Sequence, residues 1–150
     1  MTVSPFRKSS KPVLIVEARF YEPFADSLVE AAIEVLQAEK VPYERFAVPG
    51  VFELPAAISM AAETGNYGGF IALGCVIRGE TTHYDYVCEQ SARALMDLSV
   101  HAHLAIGFGI ITAENAKQAE VRADKNGKNM GGKAAKAALR MMEAQAKFLG

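Results

Sequence analysis

A chain of 150 residues, half of them hydrophobic, has the length of one domain with one sizeable core. Sixteen basic residues against seventeen acidic ones leave it near neutral, which argues against a broad electrostatic footprint for nucleic acid or an anionic membrane; any anion site must be local. No stretch reads as a membrane span, and residues 1–12, MTVSPFRKSSKP, lack the apolar centre and cleavage site of a signal peptide, so a cytoplasmic protein is expected.

Residues 1–12 are expected to form a flexible polar arm ahead of one compact unit over 13–150. The first apolar run, VLIVEA at 13–18, is short and rich in β-branched residues and predicts a buried strand. Over 22–37, Phe24, Ala25, Leu28, Ala31, Ala32, Val35 and Leu36 recur at intervals of three and four, which predicts an amphipathic helix. The order then repeats: YERFAVP at 43–49 as a strand, 54–62 as a helix, GFIALGCVI at 69–77 as a strand, and 82–98 as a helix. A fourth strand is expected near 104–112, then a short helix over 114–122, a loop ADKNGKNMGG and an Ala-rich helix to about residue 148. Strand and helix in alternation imply right-handed crossovers and a four-stranded parallel sheet covered on both faces, a three-layer α/β/α sandwich of flavodoxin-like character.

In such a sheet the ligand crevice lies beyond the carboxyl ends of the strands. Strand one runs into Arg19, Phe20 and Tyr21; strand two into VPGVFELP; strand three into RGETTHYDY. Thr82 and Asp85 have the spacing of a helix-capping pair, which puts the amides of residues 79–82 at a helix N-terminus able to hold an anion. A capped helix start is common and is weak evidence alone. His83 adds to it, because an imidazole in that first turn can relay protons near neutral pH.

Other features carry less. GKNMGGK at 127–133 almost spells a phosphate-binding loop, yet Ala134 follows the lysine where a hydroxyl is required and no strand precedes it; its glycines are expected to separate two helices. His101 and His103 alternate as strand neighbours would, with no Cys, Asp or Glu beside them to complete a metal site, so they read as surface residues. Lys133, Lys136, Arg140 and Lys147 form a stripe expected to face solvent. Cys75 and Cys88 are expected to stay reduced. A thiol enzyme pairing one of them with His83 is a rival, although Cys88 lies five positions past His83 and so on another face of one helix.

ARF at 18–20, VPGVFELP at 48–55, GCVIRGETTHYDYV at 74–87, GFGIIT at 107–112 and QAEVRA at 118–123 together resemble the signature segments of the lumazine synthase family, over about residues 13–142. The resemblance implies a transferase of riboflavin biosynthesis. It would condense 5-amino-6-(D-ribitylamino)uracil with 3,4-dihydroxy-2-butanone 4-phosphate into 6,7-dimethyl-8-ribityllumazine, with no metal or other cofactor. It further implies that Phe20 stacks on the pyrimidine, that Val51, Phe52 and Glu53 meet the ribityl chain, and that the backbone at Val76 and Ile77 reads the heterocycle. Glu80 (through its amide), Thr81 and Arg122 would receive the phosphate, and His83 would move protons. The family's subunits form a pentameric ring, in some members assembled further, with Phe108 and Arg122 reaching the neighbour's pocket. A non-catalytic flavin- or lumazine-binding module of the same fold is the alternative. The chain departs from the family pattern at Tyr21, often asparagine; at Glu80, often alanine and expected to point outward; and at Met130, often a lysine, whose charge Lys125 or Lys128 is expected to replace.

Overall fold

The structure, a computed structural model, describes residues 11–150. Most of the expected arm, residues 1–10, lies outside the described residues. Strands β1 (Val13–Ala18), β2 (Tyr43–Val48), β3 (Gly69–Ile77) and β4 (Ile106–Ala113) alternate with helices α1 (Glu22–Ala38), α2 (Leu54–Glu63), α3 (His83–His101), α4 (Ala116–Ala123) and α5 (Met130–Leu149). All strand pairs are parallel and the order is β2-β1-β3-β4. The three-layer sandwich with a four-stranded parallel sheet is therefore as expected.

The side-chain alternation of the strands builds two cores. Val13 and Ile15 of β1 and Ile71, Leu73 and Cys75 of β3 pack under α1, α4 and α5, with Leu28, Ala119 and Ala138 among their neighbours. Leu14, Val16, Phe70, Ala72 and Val76 point the other way, onto α2 and α3 through Leu54, Ile58 and Leu95. Strand β3 is central and covered on both faces, hence its unbroken apolar run. The chain steps outward from β1 to β2, crosses back to β3, and steps on to β4. This reversal creates a switch point between the carboxyl ends of β1 and β3.

Several local expectations are corrected. Of the glycines of GKNMGGK, Gly127 lies between the two helices as expected, but Gly131 and Gly132 do not: α5 begins at Met130, and both lie buried in its first turn. A Cβ on Gly131 would collide with the carbonyl oxygen of Leu28, so the absent side chain lets α5 close onto α1. The break falls instead at Asn129, which takes the left-handed conformation (φ 51°) and caps α5 by accepting from the Gly132 amide at 3.2 Å. Gly107 of β4 serves the same packing, since a Cβ there would collide with the Ala134 carbonyl oxygen.

Helix α4 starts after residue 114 because Asn115 caps it, accepting from Gln118 N at 2.9 Å, while the Gln118 side chain accepts in return from Glu114 N. Helix α3 runs to His101, so the two histidines are not strand neighbours: His101 ends a helix and His103 sits in a left-handed turn (φ 55°), both exposed. Lys133, Lys136, Arg140 and Lys147 are exposed as expected.

Candidate active site at the β1/β3 switch point

A cleft of about 440 Å³ opens at the switch point. The loop after β1 contributes Phe20 and Tyr21. The Phe20 ring is 73 % exposed, which sequence burial rules would not favour for phenylalanine, and Tyr21 braces it edge-on, with centroids 4.9 Å apart and planes at 84°. Tyr21 in turn leans on Phe24 and the core under α1. The loop after β2 makes a short 3₁₀ turn at Val51–Glu53 before α2. There the Gly50 amide donates to Glu53 Oε1 at 2.9 Å, which fixes the carboxylate at the rim and leaves Oε2 without a partner among the described residues. Val51 is buried beneath and Phe52 is exposed.

The end of β3 supplies Cys75, Val76 and Ile77 to the cleft, the loop that follows supplies Gly79 and Thr81, and the start of α3 supplies His83, Tyr84 and Val87. The expected Thr82–Asp85 capping pair does not form. Arg78 draws the Asp85 carboxylate away at 3.4 Å, and the Asp85 amide donates to the Thr82 carbonyl. Instead the Thr81 hydroxyl accepts from His83 N at 3.3 Å. The amides of residues 79–82 find no acceptor among the described residues, and Gly79, Thr81 and His83 line the cleft, which puts the N-terminus of α3, the positive end of its dipole, at the cleft's edge.

Of the expected site residues, Phe20, Val51, Phe52, Glu53, Val76, Ile77, Thr81 and His83 thus line one cleft. Glu80 is exposed and does not line it. Phe108 is half-buried on β4, among the apolar residues beneath α2 and α3. Arg122 lies on α4, where Nη1 donates to the Gln118 carbonyl at 3.1 Å. No lysine or arginine lines the cleft among the described residues. Lys125 pairs with Glu34 at 3.1 Å and Glu30 at 3.5 Å on α1 across exposed surface.

Tyr84, Val87 and Cys75 also line the cleft, beyond the residues expected there. The first two lie three apart on α3, and that spacing past His83 was the available signal. Burial pushes the Cys75 thiol up to about 11, and burial also raises Cys88, so both free cysteines are held protonated at neutral pH, contrary to what a thiol nucleophile requires. Among the described residues no group of three or more His, Cys, Asp or Glu is arranged to hold a metal ion, and no helix is long and apolar enough to cross a membrane.

Comparison with known proteins gives a consistent result. The family model for 6,7-dimethyl-8-ribityllumazine synthase matches residues 10–146. A protein of that name from Bartonella tribocorum is 53 % identical over 137 residues, 91 % of each chain. One from Agrobacterium fabrum is 50 % identical over 147 residues, 94 % of this chain and 99 % of its own. 6,7-Dimethyl-8-ribityllumazine synthase 1 of Rhizobium meliloti is 53 % identical over 140 residues, 89 % of this chain and 92 % of its own. With a match over nearly all of its length, the chain belongs to the 6,7-dimethyl-8-ribityllumazine synthase family.

Proposed function

We propose that the chain condenses 5-amino-6-(D-ribitylamino)uracil with 3,4-dihydroxy-2-butanone 4-phosphate to 6,7-dimethyl-8-ribityllumazine, releasing phosphate and water, and so acts as a transferase in riboflavin biosynthesis. The observation that carries this reading is the pairing of an exposed aromatic platform, Phe20, with an open helix N-terminus across one cleft, in a chain of this family. A flat heterocycle suits the ring face, and a phosphate suits unpaired amides.

In this reading the pyrimidine stacks on Phe20 while the backbone at Val76 and Ile77 takes its polar edge. Glu53 accepts from ribityl hydroxyls through its free oxygen, beside Val51 and Phe52. The phosphate lies at the amides of Glu80 and Thr81 with the Thr81 hydroxyl. The uracil amine attacks the ketone to form an imine with loss of water, phosphate is eliminated, and the ribitylamino nitrogen closes the ring with loss of a second water. His83 carries protons between these steps. Much of the acceleration comes from holding two reactive substrates together.

A phosphorylated substrate needs more positive charge than this cleft offers, because no cationic side chain lines it among the described residues. We therefore assign the missing cation to Arg122 of a second copy, arriving with Phe108 in a homo-oligomer, a pentameric ring. The exposed rings of Phe20 and Phe52 at the rim favour such a neighbour. A cytoplasmic location belongs to the same reading and suits two free thiols.

Mixing both substrates with the protein and following lumazine absorbance and fluorescence tests the assignment. Product formation with release of one phosphate per lumazine is expected. Binding of lumazine without turnover would instead make the chain a flavin- or lumazine-binding module, a reading the synthase relatives do not favour.

A further inference from the structure

Glu17 is a buried carboxylate that the reaction does not use. It lies on β1 with 2 % exposure and is gripped from two sides. Arg45 of β2 forks onto it, Nε to Oε2 and Nη2 to Oε1, both at 2.8 Å. Arg19 donates Nη1 to Glu17 Oε1 at 2.7 Å. The same Arg19 guanidinium reaches forward to the first turns of α1, with Nε to Glu22 at 2.9 Å, Nη2 to Glu22 at 2.6 Å, and a further bond to Asp26. One planar group thus ties the end of β1 to the start of α1, and the segment it spans carries Phe20. The Arg19 backbone amide adds a bond to the Val48 carbonyl of the neighbouring strand at 3.0 Å.

The two anchors differ in kind. Glu22 and Asp26 are exposed, so their bonds to Arg19 compete with water and salt. Glu17 is dry, and the Arg45 fork leaves its carboxylate a single orientation, with Oε1 aimed at Arg19. The rigid end of the link is therefore Glu17. An aromatic ring that stands 73 % exposed has little packing beyond its edge contact with Tyr21 to keep it in place, so such polar contacts add to the order of its loop.

We propose that Glu17 is a positioning residue which, through Arg19, holds the β1–α1 loop so that the Phe20 ring stays presented to the heterocycle. This deepens the assignment above and rests on Phe20 being its stacking platform.

The chain has no tryptophan, so Phe20→Trp introduces a single reporter at the ring itself. In that background, Glu17→Gln and Arg19→Met should increase the amplitude of fast motion in the time-resolved fluorescence anisotropy of the introduced indole, measured without ligand. In the protein that keeps Phe20 the same two changes should weaken binding of 6,7-dimethyl-8-ribityllumazine by about three- to tenfold, the size of one stacking contact, with kcat altered less. Arg19→Lys should recover part of both. Leu36→Ala, a core truncation beside Val41 at the far end of α1, serves as the comparison: it should lower thermal stability without moving either readout. The proposal is overturned if Arg19→Met leaves the indole anisotropy unchanged, or if Leu36→Ala changes it as much as Glu17→Gln does. Should Glu17→Gln fail to assemble, Arg45→Met, which removes the fork that orients Glu17 and leaves Arg19 with Glu22 and Asp26, takes its place: the same rise in amplitude is expected, and no change overturns the role of Glu17. Whether the indole fluorescence responds to added lumazine is a separate result, and an absent response counts against the stacking role, not against the loop's tether.

Discussion

The guanidinium carbon of Arg78 lies 4.3 Å from the centroid of the Tyr84 ring, so the cation that follows β3 is held outside the cleft that Tyr84 lines. Its Nε also bonds both oxygens of Glu114 at 3.0 Å, and Asp85 stands at 3.4 Å. Arg78 therefore ties α3 to the β4–α4 loop. It should matter little to phosphate. Arg78→Met is expected to leave the Michaelis constant of the phosphorylated ketone within about twofold, as for exposed ion pairs in general. Arg122→Ala should raise that constant about ten- to a hundredfold, since a charge-assisted bond is worth about 1.5 to 3 kcal/mol. Steady-state kinetics with each substrate varied in turn check the pair, and equal effects of both variants would contradict the assignment.

His83 donates its backbone amide to the Thr81 hydroxyl and projects from the first turn of α3 into the cleft. His83→Ala should slow turnover by less than about a hundredfold, the low end of the range for a proton-transfer group, because proximity supplies the larger share. Single-turnover measurements of the assembled variant test this, and complete inactivity would refute it.

Cys75 lines the cleft, yet burial pushes its thiol pKa up to about 11. The sign is that of a raised acid: thiolate appears only as pH climbs toward that value. At pH 8 about one thiol in a thousand is ionised. Iodoacetamide at that pH should label Cys75 slowly, and Cys75→Ala should keep the lumazine-forming activity. Rapid inactivation that tracks loss of one thiol would restore the thiol mechanism.

Glu17 gives a pH dependence of stability. Burial alone would raise its carboxyl pKa, but the hydrogen bonds and charges of Arg45 and Arg19 outweigh that and hold it below the ordinary carboxylate value. A depressed acid contributes stability above its unfolded pKa, about 4.3, and loses it as pH falls through the lower folded value. Thermal unfolding followed from pH 7 to pH 2 should show Glu17→Gln with a lower midpoint at neutral pH and a smaller loss on the acid side. Parallel curves for the two proteins would remove Glu17 from the acid transition.

How far these features are legible in sequence varies by residue. The β3 run could be read because its strand is covered on both faces and needs no polar alternation. The cleft loops could be located because parallel sheets put ligand crevices at strand ends. Gly131 and Gly132 could not: the packing that Gly131 permits depends on Leu28, about a hundred positions away, and locally both look like helix breakers. The Thr82–Asp85 pair failed for a related reason, since a competitor from the preceding loop, Arg78, captured the carboxylate. Cys75 entered the cleft because it ends the core under α1 where the sheet opens, which its apolar neighbours conceal. Phe108 and Arg122 stand outside the cleft of their own chain, and only the family resemblance assigned them to a pocket at all.

That assignment is the central claim, because it makes one chain half of a site. Two inactive variants are prepared, Phe20→Asp in the cleft and Phe108→Ala with Arg122→Ala on the donating side, then unfolded, mixed in equal amounts and refolded. In a closed ring each working pocket needs one suitable copy on either side, so random mixing should restore turnover to roughly a quarter of the unsubstituted protein. Mixed rings, verified by mass, that stay as inactive as their parents would contradict the account and leave each site within a single chain.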